Sequence, residues 1–375
     1  MRCSAAVSVL GLAFLLSSCG DWAGINADDS PYIGDLDRMD LYLNDDELDV
    51  LYDSVVVDSA AVCTYEVDGY SAEGEIQIRG LSSRMDPKKS FTLEGTLSEG
   101  IKDALDAGGD PWIEYALAME AYDLAGLPVA DFYPKGLFLN DSYLGYYNMV
   151  RLYDDSLNDY YDDADGELFK ITFFDSDFVD SVESIPIHGD SEKKFPDDDD
   201  FTLLDEFIAA AANLSDEEWI DWAADHVDME ETAKYMAVRD FFGLVDTVRV
   251  NFYVYFHDEK ALILPWDSDR GYTYDDIGGN NLLTYRMMDS PEFQEYYKEE
   301  FNKLFLVDGE DNILEDLEDY LDDMIALLRS TVNSESAYFL DLDDFDLEAE
   351  EIRTFLTDRP DDILDRDEWN SFFNS

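Results

Sequence analysis

Acidic side chains so outnumber basic ones that any fold of this chain must spread them over a solvated surface. The 375 residues include 90 Asp and Glu but 24 Lys and Arg, a formal net charge of -66. At ordinary ionic strength such a surface repels itself and loosens a compact state, whereas in molar salt the Debye length falls to about 3 Å and the repulsion is screened. The charge predicts adaptation to a salty medium, with a calcium-loaded surface as the alternative. Nucleic acid is a poor partner because its binding requires a basic face.

The N-terminus has the pattern of an export signal. Arg2 precedes an apolar run over residues 5–16, which is too short to span a membrane but suits the apolar region of a signal peptide. The run ends in "LSSCG", which is similar to a bacterial lipobox. We therefore predict a lipoprotein signal peptide over residues 1–19, a lipid-modified Cys19, a tether over residues 20–34 and an extracytoplasmic, membrane-anchored protein. The alternative is an ordinary secretory signal with a chance cysteine.

The whole chain is 46% hydrophobic, which is enough to bury a sizeable core. In residues 35–150 alternating patterns predict strands, among them hairpins turning at "VDGY" and at Asn140-Asp141, together with one main helix over 111–126. In residues 151–375 helical patterns dominate, around one hairpin, "NFYVYFHDEKALILPWDSD". We predict an α+β fold of two lobes, a strand-rich N-lobe and a mostly helical C-lobe. The later helices are expected at about 291–306, 312–332 and 346–357, and Asp and Ser are expected to cap the first two helices of the C-lobe.

The scarce cations gather in one stretch, "RGLSSRMDPKKSF", over residues 79–91. Gly80 lets the backbone approach a ligand closely, and serine hydroxyls and cationic side chains bind phosphate. The stretch is therefore a candidate phosphate site, and a hairpin with a basic edge is the alternative. Its polar and glycine members are Arg79, Gly80, Ser82, Ser83, Arg84, Lys88 and Lys89.

A second group of polar residues surrounds the later hairpin. Asp246 and Asn251 precede it, and Asp267 and Asp269 follow it. Phosphoryl transfer requires an Asp that orients or deprotonates the acceptor hydroxyl, and an Asn and an Asp that hold Mg²⁺. The Asp-x4-Asn spacing, a strand pair and then Asp is the order of a protein kinase, although "HRD" and "DFG" are absent. In so acidic a chain the spacing alone is also consistent with a solvated face.

These motifs together resemble the CotH family of atypical protein kinases. Residues 79–91 fit its R-G-x-S-S-R-x-x-P-K-K-S-[YF] pattern throughout, and "LAMEAYDLAGLP", "LFLNDSYLGYY", "GELFK", "VDTVRVNFYVY" and "PWDSDRG" are similar to its other signatures. The resemblance extends from about residue 38 to residue 365.

The resemblance implies a role for each matching residue. Asp246 would be the catalytic base, and either Lys88 or Lys89 would grip the phosphates, with Glu120 as its ion-pair partner. Asn251 and Asp267, with Asp269, would bind the metal. The remaining nucleotide contacts would come from Arg79, Gly80, Ser82, Ser83, Arg84 and Lys170.

The implied function is phosphorylation of Ser or Thr hydroxyls on exported or surface proteins, with ATP and Mg²⁺ or Mn²⁺. One alternative is a non-catalytic surface module on a kinase-like scaffold. The other is phosphoryl or nucleotidyl transfer to a glycan or a small molecule.

Overall fold

The chain forms a mixed α+β structure with a strand-rich first part. The computed structural model describes residues 34–53, 59–80, 84, 88–95, 102–106, 112–161, 165–171, 191–244, 247, 251–268, 271, 282–307, 309–332 and 342–373. The predicted signal peptide, Cys19 and all of the predicted tether but its last residue lie outside these ranges. Within them, no helix is both long and apolar enough to cross a membrane.

Seven strands of the first part close into a barrel. They are β1 (Asp37–Tyr42), β2 (Ala61–Val67), β3 (Tyr70–Ile78), β4 (Phe91–Gly95), β5 (Lys102–Asp106), β6 (Phe132–Leu139) and β7 (Ser142–Arg151). Their order around the barrel is β1-β2-β3-β4-β5-β7-β6. All neighbours are antiparallel except β1 and β6, whose parallel pairing closes the barrel. The two predicted hairpins are confirmed, but the closure and β5 were not predicted.

The barrel interior is filled by alternate residues of its strands. In β2 the buried side chains are those of Ala61, Cys63 and Tyr65, as expected for a strand with one face inward. Cys63 is a free buried cysteine, and burial raises the pKa of its thiol to about 12. Cys63 is therefore a core residue.

The second part contains a four-stranded sheet as well as helices. Its strands are β8 (Glu167–Ile171), β9 (Glu192–Phe195), β10 (Phe252–His257) and β11 (Lys260–Pro265), in the order β11-β10-β8-β9. The predicted hairpin is β10–β11, and it turns at Asp258 and Glu259, both with positive φ.

The helices are α1 (Asp45–Asp53), α2 (Trp112–Leu124), α3 (Ser156–Tyr160), α4 (Thr202–Asn213), α5 (Asp216–His226), α6 (Met229–Phe242), α7 (Leu282–Met288), α8 (Pro291–Phe301), α9 (Leu314–Arg329), α10 (Leu342–Asp365) and α11 (Asp367–Phe373). A π-helical turn over Asn302–Leu306 follows α8. Helix α10 runs past the predicted end at 357 and includes Pro360.

Two of these helices test the predicted caps. Ser215 caps α5 in a full capping box with Glu218, as predicted. The prediction for α4 was wrong in detail, because the residue at its N-cap is Phe201 and makes no side-chain cap. The Asp200 carboxylate instead accepts a hydrogen bond of 2.9 Å from the Thr202 amide.

Helix α2 joins the barrel to the rest of the chain. Its apolar side chains belong to one hydrophobic cluster with Tyr146 and Val150 of β7, the second sheet and helices α4 to α10. The rings of Tyr122 in α2 and Tyr235 in α6 stack at 5.5 Å. The Tyr153 hydroxyl donates to the carbonyls of Pro128 (3.2 Å) and Pro265 (3.1 Å). The core therefore continues across residue 150, while the barrel interior forms a second cluster.

Candidate functional site

Two of the predicted metal ligands lie at one end of the β10–β11 hairpin. Asn251 immediately precedes β10, Asp267 is the second residue after β11, and Phe252 pairs with Pro265 in register. Both residues adopt left-handed backbone, with φ of 61° and 56°, a region that Asn and Asp enter more easily than most residues and that is concentrated at functional sites. The backbone amide of Asn251 donates a hydrogen bond of 2.9 Å to the Ile171 carbonyl, which connects this end of the hairpin to β8.

Lys170 of β8 lies beside this end of the hairpin. It pairs with Tyr253 of β10, and its Nζ is 4.5 Å from the centroid of the Trp266 ring. The pKa of Lys170 is lowered to about 8, mainly by burial and also by the charges of Arg79 and Lys194, against the opposing effect of Glu192 and Asp267. Lys170 is therefore a mostly buried cation within electrostatic reach of Asp267.

Arg79 brings the basic stretch to the same place. It follows β3, and its backbone amide donates a hydrogen bond of 2.9 Å to the Ser90 carbonyl. Its guanidinium carbon is 5.5 Å from the centroid of the Trp266 ring, so Arg79 and Lys170 both contact the residue that precedes Asp267. Gly80 has φ of 95°, a conformation that side chains rarely adopt. The fold thus brings together two groups that are far apart in the sequence.

The two adjacent lysines have different surroundings. Lys88 is 1% exposed, and its Nζ donates 2.5 Å to the Tyr146 carbonyl and lies 4.8 Å from the centroid of the Tyr147 ring. Lys89 is half-buried, and its Nζ donates 3.0 Å to the Arg84 carbonyl. The Arg84 guanidinium in turn donates 3.1 Å to the Ile78 carbonyl.

Strand alternation places Arg79 on the outer side of the barrel. Ile78 and Phe91 pair across β3 and β4 and point into the barrel. Arg79 and Ser90 come next to this pair, so their side chains point away from the interior. Lys88 and Lys89 precede β4, and burial is what distinguishes them, since Lys88 is almost fully buried and Lys89 is half-buried.

Glu120 does not form the ion pair that the resemblance implied. Burial raises the pKa of Glu120, and the charges of Asp123 and Asp316 raise it further. Glu120 also raises the pKa of Tyr320, so its carboxylate points towards α9. In the ranges that the structure describes, no cation lies within ion-pair distance of Glu120. The rotation of α2 about its axis directs this side chain away from the basic stretch.

Two residues that the sequence did not single out also lie at this site. Glu192 of β9 pairs in register with Lys170 of β8, and the Lys194 ammonium forms an ion pair with the Glu192 carboxylate. Burial alone would raise the pKa of Glu192, but the hydrogen bond from Lys194 and the charges of Lys194 and Lys170 lower it. A Lys-Lys segment was visible in the sequence, yet only the β8–β9 pairing directs Lys194 towards Lys170.

Some predicted residues lie outside the described part of the chain, and their roles stay predictions. These residues are Asp246, Asp269, Ser82 and Ser83. Thr247, which follows Asp246, is described and buried, and its hydroxyl donates a hydrogen bond of 3.2 Å to the Leu244 carbonyl just after α6.

Comparison with protein families decides the assignment. The family model described as CotH kinase protein matches residues 76–363. This chain belongs to the CotH kinase family. The matched range holds the basic stretch, α2 and the β10–β11 hairpin, and it begins inside β3, so that β1 and β2 of the barrel precede it.

Other comparisons add little for this CotH protein. No curated protein matches it. Among solved structures, a complex of the Shewanella oneidensis MR-1 toxin–antitoxin system HipA and HipB with operator DNA is similar over 75% of this chain and 62% of that chain, with 11% sequence identity and a TM-score of 0.37. A likeness at this level carries no argument about fold or activity.

The residues of this chain fit a magnesium–nucleotide complex. Mg²⁺ in kinase sites is held by one or two carboxylates together with substrate phosphates and water, and Asn251 and Asp267 supply an amide and a carboxylate oxygen at the same end of the hairpin. The described residues contain no group of three or more His, Cys, Asp or Glu side chains arranged for a metal ion. Arg79 and Lys170, close to Asp267, supply the positive charge that phosphate requires.

Proposed function

We propose that this protein is a kinase with a two-lobed, kinase-like fold that transfers the γ-phosphoryl group of ATP to Ser or Thr hydroxyls, with Mg²⁺ or Mn²⁺ bound. One observation carries the proposal: Arg79 of the basic stretch and Lys170 meet on Trp266, next to Asp267. Cations and hard oxygen ligands lie side by side, as phosphoryl transfer requires. In this proposal the barrel is the core of the N-lobe, and the second sheet with helices α4 to α11 forms the C-lobe.

The side chains divide the chemistry between them. Arg79, Lys170 and Lys88 hold the phosphates, and Asn251 and Asp267 hold the metal ion, which neutralises charge on the β- and γ-phosphates when bound. Asp246 accepts the proton of the acceptor hydroxyl. At the same time the hydroxyl oxygen bonds to the γ-phosphorus, and ADP departs. Most of the rate enhancement then comes from positioning and fixed charge.

The proposal is tested by incubating the purified protein in molar KCl with γ-labelled ATP, Mg²⁺ and exported proteins from the same cells. Asp246→Asn should bind ATP but lose transfer, because the hydroxyl proton loses its acceptor. Asp267→Asn should also weaken Mg²⁺-dependent ATP binding.

Asp258→Asn is the matched control, since Asp258 lies at the opposite end of the same hairpin with φ of 47°. It removes the same charge in the same backbone region and should leave transfer unchanged. Equal transfer by the Asp246→Asn, Asp267→Asn and Asp258→Asn variants would refute the assignment.

The acceptors and the location follow from the proposed export. A protein anchored through Cys19 outside the cytoplasm meets exported and surface proteins, so these are the proposed substrates. Cys19→Ala should release the protein from the membrane fraction and remove the mass of the lipid. Wild type and variant of equal mass in the soluble exported fraction would contradict the anchor.

A second candidate is a non-catalytic module that binds an anionic ligand on the kinase scaffold. The position of Glu120 favours it, because an active protein kinase requires a Lys–Glu ion pair and Glu120 points towards α9. ATP binding without transfer to any tested acceptor, in wild type as in Asp246→Asn, would support this second function.

A further inference from the structure

The ion pair between Glu192 and Lys194 lies beside the proposed phosphate site and has no evident structural role. Strand β9 is the edge strand of its sheet and carries Glu192, Lys193 and Lys194. The side chain of Lys193 is 3% exposed and pairs with Glu167 (2.7 Å) and Asp198 (2.6 Å), which secures the strand. Glu192 therefore points to the other face, and Lys194, at a register shift between β8 and β9, joins it there through their ion pair. The side chains of Glu192 and Lys194 are 53% and 30% exposed.

That other face is the face of Lys170. Because Lys170 and Glu192 are register partners in neighbouring strands, their side chains lie on the same side of the sheet. Lys194 is near enough for its charge to act on Lys170, and so is Arg79 from the end of β3. Three cations from three separate elements thus lie near one another.

Such a group is unfavourable unless an anion neutralises it. Like charges in proximity repel, and this chain has 24 cations for 90 acidic groups, so three cations close together are not a random consequence of composition. In the structure the carboxylate of Glu192 supplies part of the compensation, through its ion pair with Lys194. An exposed ion pair of this kind contributes little to stability, which is too little to explain the cluster.

We infer that Lys194 is a further phosphate-binding residue of this site, and that Glu192 is an internal carboxylate that occupies Lys194 until a polyphosphate replaces it. The inference rests on the proposed function and extends it by two residues. Polyphosphate carries more charge than one carboxylate and offers several oxygens to Arg79, Lys170 and Lys194 at once. Glu192 is exposed enough to turn into solvent when displaced.

The experiment measures the binding of inorganic tripolyphosphate and of ATP with Mg²⁺ by isothermal titration calorimetry in molar KCl. Lys194→Gln should weaken the binding of both by roughly tenfold or more, the effect of losing one charged hydrogen bond. Glu192→Gln should strengthen both, because it removes the competing carboxylate. If the ion pair had only a structural role, replacing its two residues would not be expected to change the binding affinity in opposite directions.

Matched controls separate this local effect from the field of the whole protein. Lys303 is 36% exposed and paired with a glutamate, and Glu230 is 59% exposed and paired with a lysine. Lys303→Gln and Glu230→Gln change the net charge by the same amounts as the two site variants. They should leave both affinities nearly unchanged.

The outcomes distinguish this inference from the function on which it rests. Wild type that binds neither ligand would overturn both. Wild type that binds ATP with Mg²⁺, together with a Lys194→Gln variant no weaker than Lys303→Gln, would overturn only the role of Lys194. A Glu192→Gln variant that binds no more tightly than Glu230→Gln would overturn the displacement of Glu192.

Discussion

Lys170→Met should make the metal-free, nucleotide-free protein more stable at neutral pH. Lys170 is mostly buried, with its Nζ above the Trp266 ring, and burial is the largest cause of the lowering of its pKa from 10.5 to about 8. At about 1.4 kcal/mol for each pH unit, keeping Lys170 protonated costs roughly 3 kcal/mol. Met retains the length and packing of the chain and has no charge to desolvate.

The sign of the pH dependence follows from the two pKa values. Below about pH 8 Lys170 is protonated in the folded and unfolded states, so the full penalty opposes folding. Between about 8 and 10.5 the folded state releases the proton first, and the free energy of unfolding of the wild type rises with pH. Above 10.5 both states are neutral and the penalty is gone. The advantage of Lys170→Met should therefore shrink across this window.

The assay is urea unfolding followed by far-ultraviolet circular dichroism, in molar KCl with EDTA, at neutral pH and at steps up to pH 10.5. Arg329→Met is the control for net charge, because it removes a cation from an exposed position. The Lys170→Met variant should at the same time bind ATP with Mg²⁺ more weakly, a loss of function in exchange for stability.

Two results would refute this reasoning. One is a Lys170→Met variant that is less stable than the wild type at neutral pH. The other is a difference in the free energy of unfolding that does not change with pH, which would mean that packing rather than charge sets the effect.

Three further predictions concern charge elsewhere in the protein. Thermal stability should rise between low and molar KCl, because salt screens a net charge of -66; a melting temperature that is flat or falls contradicts salt adaptation, and a rise with micromolar Ca²⁺ alone favours a calcium-loaded surface. Lys88→Met should lower the phosphotransfer rate on the order of 10²-fold and Lys89→Met much less, because Lys88 is almost fully buried and Lys89 is half-buried; equal losses in a labelled-ATP assay would count against the choice of Lys88. Asp240→Asn should lower the free energy of unfolding in urea by about 3–5 kcal/mol, because Asp240 pairs with the fully buried Arg239. Asp346→Asn, in an exposed pair with an arginine, should lower it by less than about 1 kcal/mol. Similar losses would mean that burial does not decide the energy of these pairs.

Local features of the fold were readable from the sequence. The hairpin turns at Asp68-Gly69, Asn140-Asp141 and Asp258-Glu259 have positive φ, and alternation on both sides predicted the two hairpins of the barrel and β10–β11. The capping box at Ser215 was readable for the same reason. Turns and caps depend on a few neighbouring residues, so the sequence contains their full cause. The basic stretch over residues 79–91 likewise identified the family, which the match over 76–363 confirmed.

Closure of the barrel was decided only by tertiary structure. It depends on the parallel pairing of β1 with β6, strands far apart in the chain with no local signal for each other. The choice between Lys88 and Lys89 depends on which of the two side chains the fold buries. The direction of Glu120 depends on how α2 is rotated against α9.

The sequence by itself determined the family, the turns, the acidic surface and the residue types of the candidate site. Tertiary structure alone decided that Arg79 and Lys170 meet on Trp266, beside Asp267, with Lys194 near them. Arg79 follows β3, Lys170 belongs to β8 and Lys194 belongs to β9. These strands meet only because β8 pairs with both β9 and β10 and because α2 shares one core with the barrel and the second sheet. Long-range pairing is chosen by the burial that the whole chain achieves, and no short segment contains that information.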